Sequence, residues 1–105
     1  MTPEMHRNAK HLVTNSDHFE EDCDYFFCQL TESFDWFKAL DIFRQLAVLA
    51  LAIALGWKNF IALSNLLFFL SNQKYNDAAH EVEEKGYHYI ADVLRSGEIK
   101  FAETK

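Results

Sequence analysis

The chain has 105 residues, of which 50% are hydrophobic and 15% aromatic, which suffices for one core and is too few for a second domain. Ten basic and sixteen acidic residues give a formal charge of −6, which repels nucleic-acid backbones and anionic lipid surfaces. We therefore expect neither a nucleic-acid nor a membrane partner. Three glycines and one proline provide few turn signals for a sheet, so the composition predicts an all-α fold.

The N-terminal residues 1–18 have mixed charge and weak periodicity, and we expect an arm or a frayed helix there. They lack the apolar stretch of a secretory signal. Asp17 and Glu20 have the spacing of a capping box, which predicts a helix that continues to about Leu30. One face of this helix is apolar and Tyr25 points away from it. The predicted core residues on that face are Phe19, Cys23, Phe26 and Leu30.

Two cysteines occur on the same predicted helix, at Cys23 and Cys28. Five positions along a helix turn the side chain by roughly 140°, so these two thiols would not form a disulfide with each other. We interpret them as reduced, packed thiols of a protein made in a reducing compartment.

The apolar run LAVLALAIALGW, Leu46 to Trp57, is the most informative stretch of the chain. Twelve helical residues rise roughly 18 Å, whereas a bilayer core is about 30 Å thick. Extending the run to Leu70 would place Lys58 near mid-membrane, directly after the helix-weakening Gly56. The pattern therefore disfavours a holin-like membrane protein. It predicts a buried central helix over about residues 40–55, surrounded by other helices.

Three further elements follow the central run. FIALSNLLFFL predicts an apolar helix with Phe69 on nearly the opposite side from its core stripe of Phe60, Leu63, Leu67 and Leu70. After the polar turn SNQKY, a short helix faces inward through Ala78, Ala79 and Val82. The last helix faces inward through Tyr87, Ile90, Ala91 and Leu94, and Gly97 is expected to end it in the left-handed conformation. Together the pattern predicts a compact bundle of about five to six helices.

A series of short motifs runs in a fixed order through the second half of the chain. They are Leu40, Asp41 and Arg44 before the central helix; Gly56 and Phe60 after it; Lys74, Tyr75, Asp77, Ala78 and Ala79; and Arg95, Ser96 and Gly97. In this order and spacing, residues 19–105 resemble the C-terminal helical lobe of the T-even phage lysozymes, the phage-type muramidases. Many members carry an aromatic-amide pair before the glycine turn, where this chain has Ile53 and Ala54. The resemblance implies a lysozyme C-lobe-like domain over residues 19–105.

The catalytic lobe of the resembled family has no counterpart in this sequence. In that family a glutamate is followed nine positions on by an aspartate and six further by a threonine. Glu32 and Asp41 have the first spacing, but the third position is Ala47, inside the central helix, so we interpret the pair as coincidental. We therefore expect no enzyme activity, no catalytic residue and no cofactor.

A second arrangement with metal-ligand spacing occurs near the end of the chain. His80, Glu84 and His88 stand at i, i+4 and i+8, as on a metal-binding helix face. Gly86 lies between them and is expected to break that helix, so we interpret the three residues as a solvated surface and expect no metal site.

The sequence leaves several functions open. We favour a non-catalytic phage protein that uses a lysozyme-type lobe as a structural or protein-interaction module, in the tail, baseplate or capsid of a virion. One alternative is a small phage effector that inhibits a host defence protein. Another is a cell-wall-binding or partner-dependent muramidase fragment, although the charge of −6 disfavours anionic walls. The expected partners are viral structural proteins, a host protein or further copies of the chain.

Four aromatic residues have no obvious place in the predicted core. Exposed aromatics are common anchors of protein interfaces, so these residues form the candidate partner-binding surface. The alternative is that each one simply fills the core. The four residues are Tyr25, Trp57, Phe68 and Phe69.

Overall fold

The computed structural model describes residues 3–12 and 19–98 of the chain. Within these two ranges the chain forms eight helices and no strand, which confirms the predicted all-α fold. The helices pack into a bundle of 35 × 26 × 23 Å. They are α1 (Pro3–Leu12), α2 (Phe19–Ser33), α3 (Asp35–Ala39), α4 (Ile42–Leu55), α5 (Trp57–Ile61), α6 (Ser64–Ser71), α7 (Tyr75–Glu84) and α8 (His88–Ser96). More helices occur than the five to six expected because α3 and α5 are too short to carry a periodic pattern.

The predicted central helix is confirmed as α4. All residues from Leu46 to Ala52 are buried, and α1, α2, α5 and α8 pack around them. Asp41 caps the helix N-terminus, where its carboxylate accepts a hydrogen bond from the Arg44 amide at 3.1 Å. Gly56 ends the helix with a φ of 85°. Among the described residues, no helix combines the length and the apolar character that crossing a bilayer requires.

The first two helices lie against α4. On α2 the predicted apolar face is confirmed, since Phe19, Cys23, Phe26 and Leu30 are all buried. Asp17, the expected capping residue, lies outside the described residues. Residues 1–18 were expected to form an arm or a frayed helix, and the structure describes residues 3–12 of them as α1, with Ala9 completely buried.

The single apolar helix predicted for FIALSNLLFFL is wrong, because the chain breaks between α5 and α6 at residues 62–63. The break resets the helical phase, so Leu66 and Leu70 become the fully buried positions of α6. Phe68 is then the side chain on the far face, with 56% of its surface exposed. Phe69 lies three positions after Leu66 and is therefore half-buried against the core, not opposite it as the sequence predicted.

The last two helices agree with the prediction except at Tyr87, which precedes α8 and is only partly buried against the core. On α7, Ala78, Ala79 and Val82 are buried, and α8 buries Ile90, Ala91, Val93 and Leu94. Gly86 separates the two helices with a φ of 96°. Gly97 ends α8 at φ 75° and ψ 24°, the left-handed stop that the sequence predicted.

Arg44 joins the start of α4 to the end of α8. Its guanidinium donates hydrogen bonds to the carbonyl oxygens of Leu94 at 2.7 Å and Arg95 at 3.0 Å. It also pairs with Asp41 at 3.0 Å and lies 4.2 Å from the ring centroid of Tyr75. The two carbonyls belong to the last turn of α8, which has no further helical amides to bond them. Arg44 is therefore a structural residue that caps α8 from a distant part of the chain.

Candidate protein-binding surface

Four partly exposed rings lie on α2, α3, α5 and the turn between α2 and α3. We call the surface that they form the aromatic face, and its members are Tyr25, Phe34, Trp36 and Trp57. The centroid of Phe34 lies 5.0 Å from Trp36 and 6.2 Å from Trp57. Tyr25 joins the group through Phe26, whose ring lies 5.1 Å from Tyr25 and stacks on Trp57 at 6.0 Å. All of these distances fall within the range of favourable aromatic pairs.

Buried rings form a floor beneath the aromatic face. Phe60 is completely buried and lies 5.9 Å from Trp57 and 6.5 Å from Phe34. Phe37, also completely buried, lies 6.4 Å from Trp36. Because each outer ring rests on an inner one, little side-chain freedom remains to be lost when a partner binds. The arrangement suits rigid interface anchors.

The local chain geometry explains how these rings meet. Phe34 separates α2 from α3 in an extended conformation, and its amide donates to the Leu30 carbonyl at 3.0 Å. After this turn α3 begins at once, and Trp36 lies two positions beyond Phe34 in its first turn. On the other side, Gly56 adopts φ 85° and ψ 150°, a conformation open almost only to glycine, and so allows Trp57 to begin α5 at once. Two sharp turns therefore bring together rings that are distant in sequence.

Carboxylates border the aromatic face. Helix α2 contains five acidic residues and no lysine or arginine. Near its end, Glu32 is exposed and accepts a hydrogen bond from the Cys28 thiol at 3.4 Å. Asp35, at the start of α3, is fully exposed and lies 4.0 Å from Lys38. An ion pair as exposed as that of Asp35 contributes little, and Glu32 is exposed, so both carboxylates stay accessible to a partner.

The structure brings together two of the four candidate residues and keeps the other two apart. Tyr25, with 54% of its surface exposed, and Trp57 belong to the aromatic face. Phe68 and Phe69 form a separate pair on α6, with centroids 6.0 Å apart, and the Lys74 ammonium lies 5.9 Å from the Phe68 centroid. Among the described residues no ring contact links the pair to the aromatic face.

Sequence reasoning did not include Phe34 and Trp36 in the candidate surface. They lie in the segment ESFDWF, where the aromatic residues alternate with exposed acids. That alternation is a usable signal, because a segment that only filled the core would not place Asp35 between two rings.

In the described part of the chain, no polar or charged side chain is buried. The hydrogen bond from Arg95 lowers the pKa of the Glu83 carboxyl, whereas a general acid needs a raised pKa. Asp41, one half of the pair with catalytic spacing, is occupied by Arg44 at the start of α4. The geometry assigns these carboxylates to structural ion pairs.

The histidines expected on a solvated surface lie in two separate ion pairs. His80 contacts Glu84 at 3.1 Å on α7, and His88 contacts Glu83 at 3.6 Å from the start of α8. Within residues 3–12 and 19–98, no group of three or more His, Cys, Asp or Glu side chains could hold a metal ion.

The two thiols differ in environment. Cys23 is buried, and burial raises its pKa to about 11. Cys28 is exposed, and its hydrogen bond to Glu32 also raises its pKa. Neither cysteine forms a disulfide bond.

Comparisons of the chain with protein-family models, curated proteins and solved structures found no match. The likeness to the C-terminal lobe of phage-type lysozymes, drawn from the order of motifs between Leu40 and Gly97, therefore stays a prediction from the sequence.

Proposed function

We propose that this chain is a non-catalytic protein-interaction module that binds a protein partner through the aromatic face. The observation that carries the proposal is a connected set of aromatic contacts, in which Phe34, Trp36 and Trp57 meet over buried rings and Tyr25 joins them through the buried Phe26. Tryptophan and tyrosine are the residues most enriched at the energetic centres of interfaces. A contiguous group of partly exposed rings has a higher free energy in water than scattered single residues, so it favours association with a partner.

The finer form of the proposal is a virion component, in the tail, baseplate or capsid, made in the host cytoplasm. This form rests on the resemblance of residues 19–105 to the C-terminal lobe of the phage-type lysozymes. An inhibitor of a host defence protein would use the same surface, and the two forms differ only in the identity of the partner.

Site-specific photocrosslinking in the producing cell tests the proposal. A photoreactive phenylalanine analogue replaces Tyr25 in one variant and Phe68 in the other, since these side chains have nearly equal exposures of 54% and 56%. Mass spectrometry then identifies the captured protein. We expect a defined adduct from position 25 and little from position 68, because Phe68 lies outside the aromatic face.

Each result has a distinct meaning. Capture of a viral structural protein at position 25 supports the virion form, and capture of a host protein supports the inhibitor form. Capture of a second copy of the chain identifies a homo-oligomer interface. A defined adduct at position 68 with none at position 25 would contradict the assignment of the aromatic face as the binding surface.

A further inference from the structure

The aromatic face combines exposed rings with bordering carboxylates, and this pairing indicates the chemistry of the partner. We propose that the face binds a positively charged segment of the partner protein that presents arginine side chains. The inference deepens the proposed function and rests on it. Three observations carry it: the charge of α2, the accessibility of two carboxylates beside the rings, and a contact of the same chemistry elsewhere in this protein.

Helix α2, which contributes to the aromatic face, has a net negative charge. That helix supplies Tyr25 and Phe26 and carries five acidic residues and no lysine or arginine of its own. The imidazole of His6, from α1, contacts one of these acidic residues, Asp24, at 3.2 Å. The whole chain carries a charge of −6. A cationic partner would therefore be attracted toward this surface, whereas an acidic one would be repelled from it.

Two carboxylates lie immediately beside the rings in the sequence. Glu32 precedes Phe34 by two positions, and Asp35 separates Phe34 from Trp36. The bases nearby are Lys38, which lies 4.0 Å from Asp35, and Lys58, which follows Trp57. Both lysines are exposed on flexible side chains, so they can move aside when a partner cation approaches.

Arginine fits this combination better than lysine. A guanidinium stacks on the face of a tryptophan or tyrosine ring while its N–H groups pair with a carboxylate in a bidentate geometry. The protein already contains such a contact, since the Arg44 guanidinium lies 4.2 Å from the Tyr75 centroid and 3.0 Å from the Asp41 carboxylate. The aromatic face presents the ring and carboxylate half of that contact without an arginine from this chain.

The chain provides its own optical readout for a test. It contains two tryptophans, Trp36 and Trp57, and both belong to the aromatic face. Intrinsic fluorescence therefore reports on this surface. The probe is a short peptide of alternating arginine and leucine, added to the full chain in low-salt buffer with a reducing agent. Sequence-matched peptides with lysine or glutamate in place of arginine are titrated in parallel.

We expect a saturable change of tryptophan emission with the arginine peptide, a weaker one with lysine and none with glutamate. Raising the salt concentration should weaken the arginine titration, because the contributing ion pairs are exposed. Equal responses to the arginine and glutamate peptides, or a response that salt leaves unchanged, would overturn the proposal.

A pair of charge-matched variants separates local recognition from general attraction. The variant with Glu32→Gln and Asp35→Asn should bind the arginine peptide about tenfold more weakly, the loss expected for two exposed charge contacts. The control with Asp77→Asn and Glu84→Gln removes the same charge from exposed positions on α7 and should bind as the unmodified chain does. Equal losses in both variants would show that net charge alone drives binding and would overturn the proposal.

The two experiments together separate failure of the arginine preference from failure of the proposed function. If Tyr25 crosslinks a defined protein but the arginine peptide does not bind, the aromatic face is an interface and only its preference for cations is wrong. If position 25 captures nothing, the proposed function itself is wrong. Circular dichroism of each variant verifies that the helices are retained before binding is compared.

Discussion

The two ends of the central helix α4 make a clear contrast. At its start, Asp41 and Arg44 form an ion pair with each other. Arg44 also donates hydrogen bonds to the carbonyl oxygens at the end of α8. At its finish, Gly56 leads directly to Trp57, whose ring lies at the edge of the core and partly in solvent. One end is a closed polar junction, and the other opens onto the aromatic face.

We expect the two ends of α4 to contribute differently, one to the stability of the fold and the other to the proposed binding. The polar junction makes many contacts that no external molecule could replace, so changes there should mainly alter the free energy of unfolding. The aromatic face keeps ring surface in water, so changes at its outermost residues should mainly alter association.

The largest effect is expected from Arg44→Ala. The substitution removes hydrogen bonds to Leu94 and Arg95 and leaves their carbonyls without a partner, so the free energy of unfolding should fall by about 2–4 kcal/mol. Urea denaturation followed by far-UV circular dichroism measures the change. Arg95→Ala, which removes partly exposed ion pairs with Glu83 and Asp92, is the control and should be milder. A loss below about 1 kcal/mol for Arg44→Ala would contradict a closed junction.

The glycines at the two ends should respond differently to alanine. At Gly56 a Cβ would meet no atom within 4 Å, so Gly56→Ala should destabilise by about 1–3 kcal/mol through backbone strain alone. At Gly97 a Cβ would lie 3.0 Å from the Arg44 Nη1 atom, so Gly97→Ala should also disturb the junction.

A double-mutant cycle checks this difference between the glycines. In a chain that already carries Arg44→Ala, Gly97→Ala should destabilise less than it does alone, whereas the effect of Gly56→Ala should be unchanged. The free energies come from the same urea transitions. Coupling of Gly56 to Arg44 would show that the two ends of α4 are not independent.

A smaller effect is expected from pH, through the buried thiol of Cys23. Burial raises its pKa to about 11, so the folded state favours the protonated thiol. This contribution to stability is complete below the pKa of an unfolded cysteine, about 8.5, and is lost as pH rises from there toward 11. The free energy of unfolding should therefore fall over this interval. Cys23→Ala, compared at each pH, should remove that part of the slope, and an unchanged slope would contradict the assignment.

The smallest effect on stability is expected at the aromatic face itself. Tyr25 has 54% of its surface exposed, so Tyr25→Ala should change the free energy of unfolding by less than about 0.5 kcal/mol. The same variant should bind the arginine peptide more weakly in the fluorescence titration. Phe68→Ala, equally exposed and outside the aromatic face, is the matched control and should leave binding unchanged. Equal binding losses in the two variants would remove the distinction between the surfaces.

The sequence predicts those features of the fold that depend on local patterns. The apolar run from Leu46 to Trp57 indicates α4 because a fully buried helix shows no polar face. Gly97 indicates the end of α8 because the left-handed stop favours glycine. The apolar face of α2 follows from helical periodicity. Each of these signals is contained in the segment that it describes.

What the sequence missed depends on contacts between distant segments or on breaks without a signal. The apolar period of the segment FIALSNLLFFL continues across residues 62–63, so the sequence does not predict two separate helices there. For the same reason it does not predict that Phe68 is exposed and Phe69 partly buried. The hydrogen bonds of Arg44 span about half of the chain. Trp57 meets Phe34 only through the tertiary fold. Half of the aromatic face, Tyr25 and Trp57, was predicted from the sequence, but the connection between its members was not.

The contact between Cys28 and Glu32 has a consequence for oxidation. Thiolate, not thiol, is the form that attacks oxidants and disulfides, and the neighbouring carboxylate raises the pKa of this exposed cysteine. Less thiolate is therefore present near neutral pH, and cross-linking of two molecules through Cys28 is slowed. The Glu32 carboxylate thus makes this exposed thiol less reactive toward oxidants.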